Sequence, residues 1–249
     1  INNIIKHKRH HFGDEIIQLE AERQTELILK WLAYEKTRQP FAVKCIEESY
    51  KINIKGYNLH LRLDRIDEIN PVVQVSAEPY QPEPYQPEPY QPEPYHLIID
   101  YKTGQCSLND WAGEHPNDPQ LPFYLCVNNL AANQHNVDNP SFDNNLDYFC
   151  SLNAIAFGQI NVKQQTLMGL HHESFALPEV TSIKDNKVNL QRTWEQVSNE
   201  WSRVSFELFE HFLCGDTIVQ YSNANQLKFS RDFISLNRFY DISIKNIAE

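Results

Sequence analysis

Cysteine pairs, long apolar runs and an excess of positive charge are all missing from this sequence. Its five cysteines (Cys45, Cys106, Cys126, Cys150 and Cys214) are odd in number, scattered, and form no Cys-x-x-Cys pair. That leaves no support for a zinc ribbon or a disulfide framework, and points to a reducing, cytoplasmic setting. No stretch approaches the roughly 18 apolar residues of a membrane span, so no membrane partner is expected. Lys and Arg number 22 against 33 Asp and Glu, a formal net charge of −11. This argues against a general nucleic-acid coat, because phosphate binding rewards Lys and Arg. It leaves room for a hydrolase whose carboxylates act once a divalent cation sits between them; any surface for nucleic acid would then be local. There is neither an initiator Met nor a signal peptide, and the chain opens at Ile1, so it is expected to be a fragment of a longer polypeptide.

What is present is ordinary for a globular chain: 41% hydrophobic and 22% charged residues, within the usual range. A length of 249 residues allows one substantial core with a smaller appendage. Residues 14–36 read as a helix, with Ile16, Ile17, Leu19, Leu27, Ile28, Trp31 and Leu32 at helical spacing, ending before Pro40. Alternation over 40–54 predicts a strand, Gly56 a turn, and 57–69 a second strand. Residues 96–102 read as a third and more central strand, because their apolar run is continuous. A helix over 117–131, a fourth strand over 146–157 and a long amphipathic helix over 191–213 follow. In the last, Trp194, Val197, Trp201, Val204, Leu208 and Phe212 share a stripe, and Trp194 and Trp201 read as core rather than as a stack for bases. The expected organisation is a core over 1–190 and a C-terminal helical extension over 191–249.

Between the second and third strands lies EPYQPEPYQPEPYQPEPY, residues 78–95, with two prolines in every five residues. Proline removes donors and fixes φ, which excludes helix and central strand. Polyproline II in an exposed hairpin loop is the expectation. A recognition role is the other reading, but a five-residue repeat on a three-residue turn scatters Tyr80, Tyr85, Tyr90 and Tyr95 around the axis.

The chemistry-bearing residues flank this insert. Asp100 and Lys102 are two apart on one strand and point to the same side, with Ile98. On the second strand, alternation puts Asp64 with Arg62 and Ile66, and Asp67 with Leu63 and Arg65, so only one aspartate can face the Asp100–Lys102 pair. A hairpin of strands two and three would bring Asp64 to Asp100. Two carboxylates suit a hard cation such as magnesium, which polarises a phosphoryl oxygen and acidifies a bound water; Lys102 would offset developing negative charge. The tripeptide Asp-x-Lys is weak by itself, since Asp185-Asn186-Lys187 has it too. Phosphodiester hydrolysis and a structural ion pair at the strand edge both remain open on spacing alone. His171 and His172 read as solvated loop, and Glu48 as solvated.

LRLDRID (61–67), LIIDYKTG (97–104) and DPQLPFY (118–124), in that order, resemble the PD-(D/E)xK nuclease superfamily. More narrowly they resemble its RecB-like exonuclease branch, in the C-terminal nuclease domain of a group of bacterial DNA repair proteins. The lead-in 20–48 and the Trp-rich helix before Cys214 also fit. The resemblance implies an α/β, restriction-endonuclease-like αβββαβ core with a mixed sheet flanked by helices. It implies a Mg2+- or Mn2+-dependent deoxyribonuclease, acting as an exonuclease in DNA repair with DNA as substrate and a helicase of the same pathway as partner. The alternative is a catalytically degenerate nuclease-fold module that binds DNA ends or scaffolds a helicase–nuclease complex. Residue by residue, Asp64 and Asp100 would be metal ligands with the carbonyl of Tyr101 as a third, and Lys102 the catalytic lysine. Gln120 and Tyr124 would match a substrate-facing QxxxY helix, against the alternative of a helix simply packed through Tyr124. Glu47 matches an acidic position after the first strand. An upstream His ligand of the branch has no counterpart at suitable spacing, His7, His10 and His11 lying too close to the first helix. Residues 221–249 hold no cysteine, so no iron–sulfur cluster is expected.

Overall fold

In a computed structural model, residues 13–54, 56–70, 93–114, 116–134, 152–185 and 192–216 are described, except for the side chains of 128–134. The elements run α1 (Asp14–Glu35), β1 (Phe41–Ile54), β2 (Tyr57–Ile69), β3 (Tyr95–Lys102), α2 (Gln120–Gln134), β4 (Leu152–Ile160), β5 (Gln165–His171), β6 (Thr181–Ser182) and α3 (Trp194–Leu213). Helix, three strands, helix, strand is therefore the observed order through β4, as the periodicities predict. Among the described residues the six strands form one mixed sheet in sequence order. β1, β2 and β3 are antiparallel neighbours, β4 lies parallel to β3, β5 antiparallel to β4, and β6 parallel to β5.

The sheet separates two apolar layers. On one side Leu63, Ile66, Ile98, Phe157 and Trp111 pack with Leu121, Tyr124 and Leu125 of α2 and with Trp194, Val197 and Trp201 of α3. On the other, Leu97, Ile99, Ala154 and Ala156 pack under Trp31 of α1. α3 is held at its start by a capping box, Thr193 accepting from the Gln196 amide and Gln196 accepting in return from Thr193. The Trp201 indole donates to the carbonyl of Trp111 at 2.9 Å, and Trp194 and Trp201 are core, as expected, whereas Phe212 at the far end of the stripe is 77% exposed.

Several boundaries differ from the sequence reading. α2 starts at Gln120 rather than 117, because Asp118 accepts from the Gln120 amide and Pro119 cannot extend a helix backwards. β4 runs to Ile160; the expected start at 146 lies outside the described residues. β5 and β6 have no counterpart in the predicted elements. The 78–95 insert falls outside the described residues up to 92, but Tyr95 is not part of a loop. It opens β3, pairs with Ile69, is 1% exposed and stacks on Phe175 at 4.7 Å. α1 buries only Leu27 and Trp31; Ile16, Leu19, Ile28 and Leu32 are exposed. His171 is buried at the end of β5, with Nδ1 on the carbonyl of His172 at 2.8 Å, so the solvated-loop reading fails for it. Glu48 is half-buried, opposite the buried Leu63, rather than solvated.

Candidate functional site

Strict alternation does not survive along β2. Leu61, Leu63 and Ile66 all belong to the α2–α3 layer, so the inward phase advances by three residues instead of two. β1 shows the same slip between Cys45 and Tyr50, with Glu47 between them at φ 51°, a conformation an L residue adopts at a cost. The expectation that Asp64 shares a face with Ile66, and Leu63 one with Arg65, is corrected accordingly. Asp64 sits at the slip, opposite Glu47. Glu47 itself is exposed and pairs with Arg62 at 3.2 Å.

At the same level β2 and β3 part company. Their register runs from Ile69↔Tyr95 to Arg65↔Ile99 and stops one residue short of Asp64 and Asp100. The Asp64 carboxylate spans the opening, Oδ2 accepting from the amide of Tyr101 at 2.9 Å. That places it between Asp100 and Lys102. Beyond Asp64, β3 keeps its pairing with β4 as far as Lys102↔Gln159, which holds the Asp100–Tyr101–Lys102 segment extended.

Lys102 is the hub. Its Nζ lies 2.9 Å from Asp100 Oδ2 and 3.0 Å from Asp118 Oδ2, and 3.5 Å from Gln120 Oε1. Gln120 Nε2 donates to the Tyr124 hydroxyl at 2.9 Å, and that hydroxyl donates to the carbonyl of Arg62 at 2.7 Å. The structure thus gathers Asp64, Asp100, Lys102, Gln120 and Tyr124 into one group where the β2–β3 pairing ends. Tyr124 also serves the alternative reading, since its ring is buried in the α2 layer. Of Tyr101, the amide is engaged toward the site while the side chain lies on the opposite face.

Electrostatics follow from burial. Burial is the main cause pushing the Asp100 carboxyl up; Lys102 opposes the shift, while Asp64 and Asp118 add to it. Burial alone would lower the Lys102 ammonium, but the bonds and charges of Asp100 and Asp118 outweigh it and raise the pKa. Lys102 is therefore a fixed cation at neutral pH. Asp100 is 4% exposed, and its Oδ2 has Lys102 as an ion-pair partner without an aligned hydrogen-bond donor. A buried carboxylate oxygen with spare lone pairs, beside a second carboxylate, fits a hard cation. Among the described residues, no three or more His, Cys, Asp or Glu side chains form a metal-ligand set, so backbone oxygen and water would have to complete any coordination.

Asp118 is the site residue that sequence reasoning missed. It lies inside the DPQLPFY segment, and its signal was positional: an acidic side chain two residues ahead of Gln120, at a helix start. His7, His10 and His11 lie outside the described residues. Asp185, the other Asp-x-Lys aspartate, is exposed at the end of a 3-10 turn (Ile183–Asp185). Cys45, Cys106, Cys126 and Cys214 carry free thiols; Cys150 is outside the described residues. Among the described residues, no helix is long and apolar enough to cross a membrane. Comparison with protein-family models gives no match, and comparison with curated proteins gives none.

Proposed function

We propose that this chain is the catalytic module of a metal-dependent deoxyribonuclease of the PD-(D/E)xK type, with a restriction-endonuclease-like core. Exonuclease action in DNA repair, beside a helicase and in the cytoplasm, is the setting that the RecB-like resemblance supports. The observation that carries the reading is the Asp64 carboxylate seated on the Tyr101 amide at 2.9 Å, where β2 and β3 diverge and between Asp100 and Lys102.

Asp64, Asp100 and the carbonyl of Tyr101 would hold a magnesium or manganese ion, which when bound polarises the phosphoryl group and acidifies water. The chain's own residues do the rest. Asp100 carries a carboxyl whose pKa burial pushes up, so proton competition would weaken its hold on a cation as the pH falls. Lys102 stays protonated, which rules it out as the base and suits it to offset charge building on the phosphoryl group. Asp118 retains Lys102 when Asp100 turns to a cation. Gln120 and Tyr124, one helical turn apart, line the α2 side of the opening and orient the substrate strand.

Incubating end-labelled DNA and Mn2+ with the wild-type chain and with Lys102→Ala tests this. Loss of one preorganised charge of this kind costs about 100-fold or more in rate. Equal degradation by the two proteins would remove Lys102 from the mechanism. DNA-end binding without cleavage by either would favour the degenerate module.

A further inference from the structure

Behind the candidate site, on the α1 face of the sheet, lies a buried polar cluster that the mechanism does not use. Arg65 is its centre. Its Nε donates to Asp67 Oδ1 at 2.6 Å, its Nη2 to Asp67 Oδ2 at 3.0 Å and to Glu35 Oε2 at 2.9 Å, and its Nη1 to the Tyr101 hydroxyl at 2.9 Å. Arg38 closes the ring, donating to Glu35 Oε1 at 2.9 Å and Asp67 Oδ2 at 2.8 Å. Both guanidiniums lie over the Phe41 ring, 4.1 Å and 4.9 Å from its centroid. Two cations face two carboxylates, so the cluster is charge-balanced, and Asp67 is fully buried. Burying four charges is costly unless each is paired and hydrogen-bonded, and each of these is, although the buried Nε of Arg38 has no hydrogen-bond partner among the described residues.

The cluster meets the site through the chain itself. Arg65 follows Asp64, and Tyr101 stands between Asp100 and Lys102. Paired register between β2 and β3 ends at Arg65↔Ile99, so beyond that point two side-chain bonds join the strands from opposite faces. Asp64 grips the Tyr101 amide and Arg65 grips its hydroxyl. The ring between them has little room to move. It meets Trp31 edge-on at 5.5 Å, and it covers Gly158 so closely that a Cβ there would lie 2.6 Å from Tyr101 Cδ1.

We propose that Arg65 and Tyr101 are positioning residues, a buried clamp that fixes the separation of Asp64 and Asp100 and so sets the affinity of the site for a divalent cation. This rests on the proposed metal site, but the clamp also has a signature that needs no metal.

Tyr101→Phe removes one hydroxyl and leaves Arg65 with Asp67 and Glu35, so the fold should survive. Tyr34→Phe is the control: Tyr34 lies on the same face, but its hydroxyl accepts from the Leu167 amide at 2.9 Å, away from the opening. In metal-free protein, hydrogen exchange at the residue-101 amide should quicken roughly fivefold to tenfold in Tyr101→Phe, as expected when a bond is weakened at an outer shell, and should not change in Tyr34→Phe. Calorimetric titration with MnCl2 should show a weakening of about the same factor in Tyr101→Phe alone. Unchanged exchange at residue 101 overturns the clamp whatever the metal does. Quickened exchange with unchanged Mn2+ affinity overturns its role in the site. If wild type and Asp100→Asn take up Mn2+ alike, the metal site itself fails, and the exchange rates still decide for or against the clamp by themselves.

Discussion

Asp100 illustrates how the carboxylate of a proposed metal site works against the fold that carries it. Its ordinary pKa is 3.8, and burial, helped by Asp64 and Asp118, pushes it up in spite of Lys102. Below 3.8 the group is protonated in folded and unfolded chains alike. As the pH rises, the unfolded chain gives up its proton first, so folding loses stability until the folded carboxyl has ionised as well. At neutral pH an ionised Asp100 is therefore a net burden on the metal-free protein. Asp100→Asn should raise the midpoint of thermal unfolding in chelator at pH 7, and the gain should shrink as the pH falls toward 3.8. Excess Mn2+ should reverse the order, because ligand binding stabilises only the chain that binds it. Thermal melts across pH check this; a less stable Asn variant in chelator would show that Lys102 outweighs burial. Asp100 and Lys102 were legible from their place at the end of an apolar strand, and Asp64 from the alternation of the strand expected to pair with it. Asp118 was not, because a helix-capping aspartate looks the same whether or not a lysine from another strand reaches it.

At the scale of elements, legibility tracked the strength of the repeating pattern. β2 and β3 announce themselves through alternation and a continuous apolar run. The phase slip at Asp64 does not, because it accompanies the positive-φ backbone of Glu47 on the neighbouring strand, with the β1–β2 register the same on both sides of it, rather than any residue preference. β5 was hidden for a different reason: its seven residues carry Gly169 near the middle, which reads as a strand breaker. The structure uses that glycine for close approach. A Cβ at Gly169 would lie 2.1 Å from the carbonyl oxygen of Ile155 and 2.5 Å from the Ala156 side chain, and backbone cannot yield as a flexible side chain can. Gly169→Ala should force β5 off β4 and destabilise by about 2–3 kcal/mol, as overpacking does, lowering the melting midpoint by roughly 5–10 °C for a chain this long. The candidate site lies on the β2–β3 side of the sheet, so Mn2+ affinity at low temperature should hardly change. Calorimetric melting and titration separate the two effects, and an unshifted midpoint would mean that β4 and β5 are not tightly packed at Gly169.

For the whole molecule, the sum of charges conflicts with the proposed substrate and gives a test of both. A formal net charge of −11 repels DNA, and the opening itself gathers three carboxylates, Asp64, Asp100 and Asp118, around the single ammonium of Lys102. Without a divalent cation, a phosphate brought there meets a local excess of negative charge. Each carboxylate–phosphate pair costs about 1 kcal/mol at 4 Å even in bulk water, and a factor of ten in affinity is about 1.4 kcal/mol. The double variant Asp64→Asn, Asp100→Asn keeps the shape and removes two charges. In chelator at low salt it should therefore bind a single-stranded oligonucleotide on the order of 25-fold more tightly than wild type, while cleaving nothing when Mn2+ is restored. Screening sets a second condition. The Debye length falls from about 10 Å at 0.1 M to about 3 Å at 1 M salt, so the advantage should fade as salt is raised, whereas an affinity gained by refolding would persist. Fluorescence anisotropy at several ionic strengths reads both. If the variant bound no more tightly at any salt concentration, the phosphate could not lie against these carboxylates, and the site would have to take some other ligand.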